Sequence, residues 1–325
     1  MRKLVLPVVA ALALLSPLSA VPQAGAVADG RSAVPSLGHV FVIVGENTSL
    51  SQLTPANAPY LNGVLKPNAA WIENYRALAD GSLADYVGMT SGQFTQCEVN
   101  NGKPHRCQQD VNSVFHQLDV AGIGWKEWME SATHGCDYYD SGTDWAKNVY
   151  GAHHDPAIYY KNIEGGSYSE ARKPAQECIT HVVPTGTTAP NDTSYLDTAL
   201  AAGNVPRFNM IIPNDCEQGH DPCGTKNPVG QFDSFLKREI PKIESSPAFG
   251  PHSVIFVTYD EGGDKPIPHR YTVLLAALGP QVQPSVYDGP VGPNHYSLLR
   301  TLEQGLGRRL LKGANTAPSI GPIWA

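Results

Sequence analysis

Apolar residues are concentrated in a few short runs along the chain, and polar, glycine-rich segments separate these runs. Continuous apolar runs rich in β-branched residues are typical of strands that are buried on both faces of a sheet. The clearest runs predict strands at His39–Val44, Arg207–Ile212, Ser253–Tyr259 and Tyr271–Leu278, and weaker candidates lie at Ala70–Tyr75 and Ile123–Met129.

Segments with helical spacing lie between these runs. In Gln231–Ile243, the residues Phe232, Phe235, Leu236 and Ile240 fall on one stripe of a helix. The other helix candidates are Ala58–Leu65, Leu83–Ser91, Val111–Val120 and Tyr296–Leu306. Alternating strands and helices predict the α/β class, with a largely parallel sheet and helices on both of its faces.

The apolar pattern weakens between Gln93 and Asn204, where glycine, tyrosine, asparagine and histidine dominate. We interpret Asp137–Thr193 as a loop-rich cap that is inserted into the sheet domain. We therefore expect one domain over residues 27–325.

The N-terminal residues have the pattern of a secretory signal peptide over residues 1–26. Arg2 and Lys3 precede an apolar run, and small residues ending in Ala24-Gly25-Ala26 form a typical cleavage site. A membrane anchor is the alternative, but the run is shorter than the ~20 residues that span a bilayer. We expect a secreted protein with no stable membrane anchor.

Composition and charge narrow the function classes. Hydrophobic residues make up 42% of the chain, which is too many for a disordered protein. Without Arg2 and Lys3, 21 basic residues face 30 acidic ones, a net charge of −9, so we expect no nucleic-acid partner.

Six cysteines in an exported chain predict disulfides. Several pairings are possible, and proximity along the chain suggests Cys97–Cys107, Cys216–Cys223 and Cys136–Cys178. A zinc cluster is the alternative, but the chain has no C-x-x-C pair.

Polar residues follow three of the predicted strands, at the sheet edge where open α/β sheets bind ligands. They are Glu46 and Asn47 after the first run, Asn214, His220 and Asp221 after the second, and Asp260 and Glu261 after the third. Clustered carboxylates repel one another unless a cation offsets their charge.

We therefore predict a divalent metal cation of unknown identity, held by the oxygen ligands of Glu46, Asn47, Asp260 and Glu261. Helix capping is the alternative role for Glu46 and Asn47. Asn47-Thr48-Ser49 and Asn191-Asp192-Thr193 also match the N-glycosylation sequon.

Ser82 is the candidate nucleophile. It begins a predicted helix, and the backbone N–H groups at a helix N-terminus bind phosphate. Ser82 with Asp85 also resembles a capping box, and the two roles are compatible. His220 and His295 are candidate general acids, although His295 also fits a simple role in the first turn of a helix.

Five motifs in sequence order resemble the secreted phosphoesterase family, which contains bacterial acid phosphatases and phosphocholine-type phospholipases C. That family is similar in fold to the alkaline phosphatase superfamily. The motifs are Gly45-Glu46-Asn47-x-Ser49, Ser82-Leu83-x-x-Tyr86-x-x-x-Thr90-Ser91-Gly92, Ile212-Pro213-Asn214 with His220-Asp221, Tyr259-Asp260-Glu261-Gly262, and Asn294-His295-Tyr296-Ser297-Leu298-Leu299-Arg300-Thr301.

The resemblance implies hydrolysis of a small-molecule or lipid phosphate monoester through a phosphoserine at Ser82. His220 and His295 would be catalytic, and Asn214, Asp221 and Asn294 would bind the substrate. The family's usual His-Pro-Ser-x-Pro-Asn-Tyr is replaced by Asp80-Gly81-Ser82-Leu83-Ala84-Asp85-Tyr86. This change adds negative charge near the phosphate, so it implies an extra cation, a different substrate or reduced activity.

Two other functions stay open. A phospholipase C-type phosphodiesterase would need a pocket for an alcohol such as choline, and an aromatic cage would suit a quaternary ammonium, although aromatics more often pack in the core. The candidate cage residues are Trp125, Trp128, Trp145, Tyr138, Tyr139, Tyr159 and Tyr160. A catalytically weakened relative that only binds a ligand is the other alternative.

Overall fold

The computed structural model describes residues 34–94, 96–140, 150–166, 173–187, 192–224, 227–263, 272–288 and 292–325. Ser32–Ala325 form one compact unit. The predicted signal peptide, Trp145, Asn191 and Tyr271 lie outside the described residues.

One mixed sheet of eight strands organises the fold, in the order β4-β3-β5-β1-β6-β7-β2-β8. The strands are β1 (Val40–Gly45), β2 (Ala70–Ile72), β3 (Trp125–Met129), β4 (Val182–Pro184), β5 (Phe208–Ile212), β6 (Val254–Tyr259), β7 (Leu275–Leu278) and β8 (Ser285–Tyr287). β7 runs antiparallel to both of its neighbours, and the other neighbouring strands pair in parallel. The predicted α/β class with a largely parallel sheet is confirmed.

Burial explains which strands the sequence predicted. Every residue of β1, β5 and β6 is buried, as the continuous apolar runs require. The run predicted at 271–278 contributes a strand only over Leu275–Leu278. β8 lies at the sheet edge, has three partly or fully exposed residues, and has no apolar run to predict it.

The helices are α1 (Ser82–Ser91), α2 (Val114–Val120), α3 (Lys161–Glu164), α4 (Gln176–His181), α5 (Ser194–Ala201), α6 (Pro228–Ser245), α7 (His295–Gly305) and α8 (Lys312–Thr316). The helix predicted at Ala58–Leu65 is instead a short π-helix over Leu61–Leu65, followed by a 3₁₀ turn. The other predicted helices are present. Among the described residues, no helix is both long and apolar enough to cross a membrane.

All ten residues of α1 are buried, so this helix lies inside the molecule. It packs against α7, whose first turn is capped by the side chain of Asn294. Both helices begin close to the strand ends that carry the predicted site residues. Their N-termini are therefore held by the core rather than by surface loops.

Three disulfides join Cys97 to Cys107, Cys136 to Cys178 and Cys216 to Cys223, which confirms the pairing suggested by proximity. The segment that we interpreted as a cap does more than cover the sheet. It supplies β4, which pairs with β3 at one end of the sheet. It also supplies a 3₁₀ turn at Ala152–His154 that reaches the candidate site.

Candidate active site

Two adjacent parallel strands deliver the centre of the site. Gly45 at the end of β1 pairs with Tyr259 at the end of β6, so Glu46 and Asp260 leave the sheet side by side. The backbone N–H of Asn47 donates to Asp260 Oδ1 at 2.9 Å. Glu46, Asp260 and Glu261 are buried, and each has a carboxylate oxygen within 4.8 Å of the other two.

Ser82 lies against this carboxylate cluster of Glu46, Asp260 and Glu261. Its hydroxyl donates to Glu46 Oε1 at 2.6 Å, and the preceding N–H of Gly81 donates to Glu261 Oε2 at 3.0 Å. Gly81 has φ of 142°, a backbone conformation that favours glycine. The start of α1 is thus tied to the cluster by both the nucleophile candidate and its neighbour.

Not every amide at the start of α1 is available to an anion. The Leu83 N–H donates to Asn101 Oδ1 at 3.0 Å, and the Ala84 N–H donates to the Gly81 carbonyl at 3.0 Å. The sequence suggested that the unpaired N–H groups at the start of α1 bind phosphate, but those of Leu83 and Ala84 already have partners within the protein.

His154 is a site residue that the sequence did not predict. Its ring is buried, with Nε2 3.6 Å from Glu46 Oε1 and Nδ1 3.5 Å from Asp215 Oδ1. Burial by itself lowers the pKa of His154, but the carboxylates of Glu46 and Asp215 raise it well above its usual range. His154 therefore places a buried positive charge between two carboxylates.

The pKa values of the cluster diverge. Burial raises the pKa of Glu46, but the positive charge of the nearby His154 and the hydrogen bond from Ser82 lower it to about 2. The pKa of Asp260 is raised well above its usual range by burial and by the negative charges of Glu46 and Glu261. Glu46 is thus the ionised acceptor of the Ser82 hydroxyl, and the negative charges of Glu46 and Glu261 oppose the ionisation of Asp260.

The donor set fits a divalent cation. Glu46 Oε2 and Asp260 Oδ2 are buried and have no hydrogen-bond partner among the described residues. Unpartnered buried carboxylate oxygens are costly, and hard cations take such oxygens as ligands. Asn47, which the sequence also predicted as a ligand, has φ of 46° and its side-chain amide contacts Glu46 Oε1.

His220 and Asp221 lie at the rim of the site. The His220 side chain is about half exposed, and its Nδ1 is 3.5 Å from Asn47 Nδ2 and 3.7 Å from Asp221 Oδ2. Asp221 is partly buried and accepts from Gln218 Nε2 at 3.2 Å. The half-exposed imidazole of His220 thus lies beside Asn47, and its predicted role as a general acid stays a prediction.

His295 contacts the backbone of Asp260 and is fully buried. Its Nε2 donates to the Asp260 carbonyl at 2.5 Å, so its Nδ1 accepts from the Tyr75 hydroxyl at 2.8 Å. Burial lowers the pKa of His295 to about 4. Both nitrogens of a neutral ring are already bonded, so this geometry suits a residue that positions Asp260, and the predicted catalytic role stays a prediction.

The two asparagines predicted to bind substrate are bonded within the protein. Asn214 Oδ1 accepts from the Cys216 N–H at 2.9 Å, and its Nδ2 donates to Ser131 Oγ at 3.0 Å. Asn294 Oδ1 accepts from the N–H groups of Tyr296 and Ser297 as the cap of α7. The structure thus gives both residues a structural task, and their predicted role in substrate binding stays a prediction.

The two aspartates that depart from the family motif have different surroundings. Asp80 is exposed. Asp85 is fully buried, and its Oδ1 accepts from the N–H groups of Leu78 and Ala79 at 2.6 and 3.2 Å. Burial, with the negative charge of Glu261, raises the pKa of Asp85 well above its usual range. Asp85 therefore fixes the backbone of Leu78 and Ala79 in the loop before Ser82.

Comparison with known proteins points to one family of enzymes. The model of the Phosphoesterase family matches residues 37–307. A phosphatidylinositol-3-phosphatase from Mycobacterium tuberculosis is 26% identical over 326 residues, which cover 98% of this chain and 93% of that protein.

Solved structures support the fold. An alkaline phosphatase superfamily protein from Vibrio parahaemolyticus matches with a TM-score of 0.57 and 13% identity, over 88% of this chain and 72% of its own. A murine ectonucleotide pyrophosphatase/phosphodiesterase matches with a TM-score of 0.56 and 10% identity, over 88% of this chain and 100% of its own. The fold is that of the alkaline phosphatase superfamily.

Proposed function

Because the chain belongs to the phosphoesterase family and is a hydrolase of phosphoric ester bonds, we propose that it cleaves phosphate monoesters through a covalent phosphoserine at Ser82. The observation that carries this proposal is the 2.6 Å hydrogen bond from Ser82 Oγ to the buried carboxylate of Glu46. A serine hydroxyl is a weak nucleophile unless a neighbouring group activates it.

The chain's own residues supply orientation and proton acceptance. Glu46 has its pKa lowered to about 2, so it is ionised when it accepts the Ser82 proton in the hydrogen bond. The bond from Gly81 N–H to Glu261 fixes the backbone on the other side of Ser82. The serine oxygen is thereby held in one place for attack on phosphorus. The Ser82 Oγ–P bond forms as the P–O bond to the alcohol breaks, and the hydroxyl proton of Ser82 passes to Glu46 along their hydrogen bond.

The departing alcohol needs a proton donor, and the phosphoserine needs a water molecule to release the phosphate. In this proposal His220, which is half exposed at the rim, gives a proton to the departing alcohol. Water then attacks the phosphoserine and gives a proton to His220. The Ser82 Oγ–P bond breaks, Glu46 returns its proton to Ser82 Oγ, and inorganic phosphate is released. The positive charge of His154, with Nε2 3.6 Å from Glu46 Oε1, favours the ionised form of Glu46.

We propose that Glu46, Asp260 and Glu261 hold a divalent cation, with Asn47 as a neighbouring oxygen donor. Such a cation neutralises phosphoryl oxygens and lowers the pKa of a serine hydroxyl. The unpartnered oxygens of Glu46 and Asp260 support this assignment.

A monoester is favoured over a choline diester. The named substrate of the mycobacterial relative is a phosphorylated inositol lipid. Of the candidate cage residues, Trp125, Trp128 and Tyr160 are buried and bonded to Asp119, Asn209 and Thr90. These three residues therefore pack in the core and do not contribute to an aromatic cage for a quaternary ammonium.

We further propose that the protein is exported and cleaved after Ala26. The three disulfides support an oxidising compartment. N-terminal sequencing of protein from the culture medium should begin at Val27.

The direct test is phosphate release from phenyl phosphate, with and without a chelator. We expect turnover that falls on chelation and returns with a divalent cation, and we expect Ser82→Ala to lower kcat by at least about a thousandfold. Absence of turnover from acid to alkaline pH with added cations would contradict the proposal.

A further inference from the structure

A small cavity of about 50 Å³ lies next to the candidate site and is not used by the mechanism above. Its lining combines the apolar residues Pro104 and Ala152 with the polar residues Asn101, Lys103, Tyr138, Asp140, His153 and Tyr159. At roughly 10–15 Å³ for each water-sized position, it has room for a fragment of a few heavy atoms.

Two contacts connect this cavity to the reacting groups. Asn101 accepts from the N–H of Leu83, the residue that follows Ser82. The ring of His153 packs on that of His154 with centroids 3.9 Å apart, and His154 faces Glu46. A group bonded to a phosphate at Ser82 therefore has this cavity as a neighbour.

The Tyr159 hydroxyl gives an independent indication of a ligand. Tyr159 is fully buried and lines the cavity, and its hydroxyl has no hydrogen-bond partner among the described residues. A buried hydroxyl without a partner is destabilising, so its retention is explained by a ligand that completes its hydrogen bonding.

The charges of the lining select the kind of ligand. Lys103 disfavours a quaternary ammonium, and Asp140 disfavours a second phosphate. Amide, ammonium, carboxylate and phenol groups together offer both donors and acceptors, which is the arrangement that neutral hydroxyl groups match.

We propose that this cavity is the leaving-group subsite and that it selects phosphate monoesters of polyhydroxy alcohols. The proposal rests on the proposed function, because it assigns the alcohol part of the same substrate. Hydroxyls of the alcohol bond to Tyr159 and Lys103, and the phosphate lies at Ser82. A site built to bond a hydroxyl discriminates against an analogue that lacks it.

Two substrates isolate the hydroxyls. Glycerol 1-phosphate and propyl phosphate share one carbon chain and one phosphate, and they differ only in two hydroxyl groups. We expect kcat/KM for glycerol 1-phosphate to exceed that for propyl phosphate by about tenfold or more. Choline phosphate, which carries a cation, should be poorer than glycerol 1-phosphate.

Variants assign the preference to the cavity. Tyr159→Phe should lower the ratio of the two kcat/KM values by about tenfold. Lys103→Met should lower it as well, and because Lys103 is exposed this variant avoids a folding defect. Tyr195→Phe, an exposed tyrosine on α5, is the matched control and should leave the ratio unchanged.

The outcomes separate the two proposals. Equal kcat/KM for the two substrates, preference for choline phosphate, or an unchanged ratio in both Tyr159→Phe and Lys103→Met overturns the subsite while hydrolysis stands. No hydrolysis of any of the three esters, or of phenyl phosphate, overturns the proposed function and the subsite with it.

Discussion

At the level of single residues, the site depends on how Glu46 is kept ionised inside the protein. The residues directly after buried strands were predictable, because the apolar runs end at Gly45 and Tyr259 and the next residues must lie at the sheet edge. His154 was not predictable, because it arrives from a segment without periodicity and only the folded chain brings it to Glu46.

His154→Gln removes the positive charge beside Glu46. The pKa of Glu46 should then rise, because His154 is the largest influence that lowers it. We expect the acid limb of the kcat/KM profile to move to higher pH, with activity at acidic pH lower by roughly tenfold or more. His134→Gln, at an exposed surface position, serves as the control, and an acid limb at the same pH in both variants would refute the assigned role of His154.

Asp85→Asn tests the departure from the family motif. Asparagine retains the oxygen that accepts from Leu78 and Ala79, and it removes a titrating carboxyl near Glu261. Since the pKa of Asp85 is raised, the wild-type side chain is neutral at low pH and charged at high pH. We expect kcat/KM to rise by about fivefold, or about 1 kcal/mol, and chiefly at alkaline pH.

Asp80→Asn is the control for that change, because Asp80 is exposed on the same loop. Its kcat/KM should stay within about twofold of the wild type because exposed charges are screened. Lower activity of Asp85→Asn at alkaline pH would indicate that the native carboxylate takes part in the reaction.

At the level of elements, prediction was most successful where burial leaves a clear pattern in the sequence. β1, β5 and β6 are wholly buried and have continuous apolar runs, and the partly buried helices α6 and α7 have amphipathic stripes. β4 and β8 have three residues each, so their sequences carry no recognisable period. The antiparallel direction of β7 depends on the connection that returns from β6, and an apolar run has no direction.

The disulfides allow stability and activity to be separated. Closing a loop stabilises a protein more when the loop is longer, so replacing Cys136 and Cys178 by serine should cost about 4 kcal/mol, and replacing Cys216 and Cys223 about 2 kcal/mol. The order should reverse for kcat/KM, because the Cys216–Cys223 loop carries His220 and the Gln218 carbonyl that accepts from the Glu46 N–H.

We expect the Cys216→Ser/Cys223→Ser variant to lose about tenfold in kcat/KM while remaining folded at assay temperature. Urea unfolding and kinetics on the same preparations provide the comparison. If the Cys136→Ser/Cys178→Ser variant loses more of both stability and kcat/KM than the Cys216→Ser/Cys223→Ser variant, the Cys216–Cys223 loop has no special part in positioning the site.

Glu303 makes the stability of α7 depend on pH. Burial raises the pKa of Glu303 to about 8, although the Leu311 N–H and Gln117 lower it in part. Its contribution to stability is thus present below the ordinary value of 4.5 and is lost as pH rises through about 8. Glu303→Gln does not titrate, so its free energy of unfolding should approach or exceed that of the wild type as pH rises.

Urea unfolding of the wild type and Glu303→Gln across this pH range measures the difference directly. The change should amount to a few kcal/mol, at about 1.4 kcal/mol for each unit of pKa shift. Glu73→Gln, at a partly exposed ion pair with Lys66, is the control. A constant difference between wild type and Glu303→Gln would show that Glu303 does not titrate in this range.

At the level of the whole molecule, an acidic protein has to bind an anionic phosphate. The chain carries 30 acidic residues, and three of them form the carboxylate cluster at the point where Ser82 begins α1. His154 and the proposed cation offset the negative charge of this cluster. The architecture therefore places the proposed nucleophile on a buried helix, the carboxylates after the central strands and the proposed alcohol subsite against the inserted segment.

The central claim is that phosphate passes through Ser82, and trapping this intermediate tests it most directly. The enzyme is mixed with phenyl phosphate, quenched in acid during turnover, digested and examined by peptide mass spectrometry. We predict one phosphoryl group on Ser82 in the wild type and none in Ser82→Ala. Sustained phosphate release by the wild type with no phosphorylated Ser82 at any quench time, together with undiminished turnover by Ser82→Ala, would contradict the account.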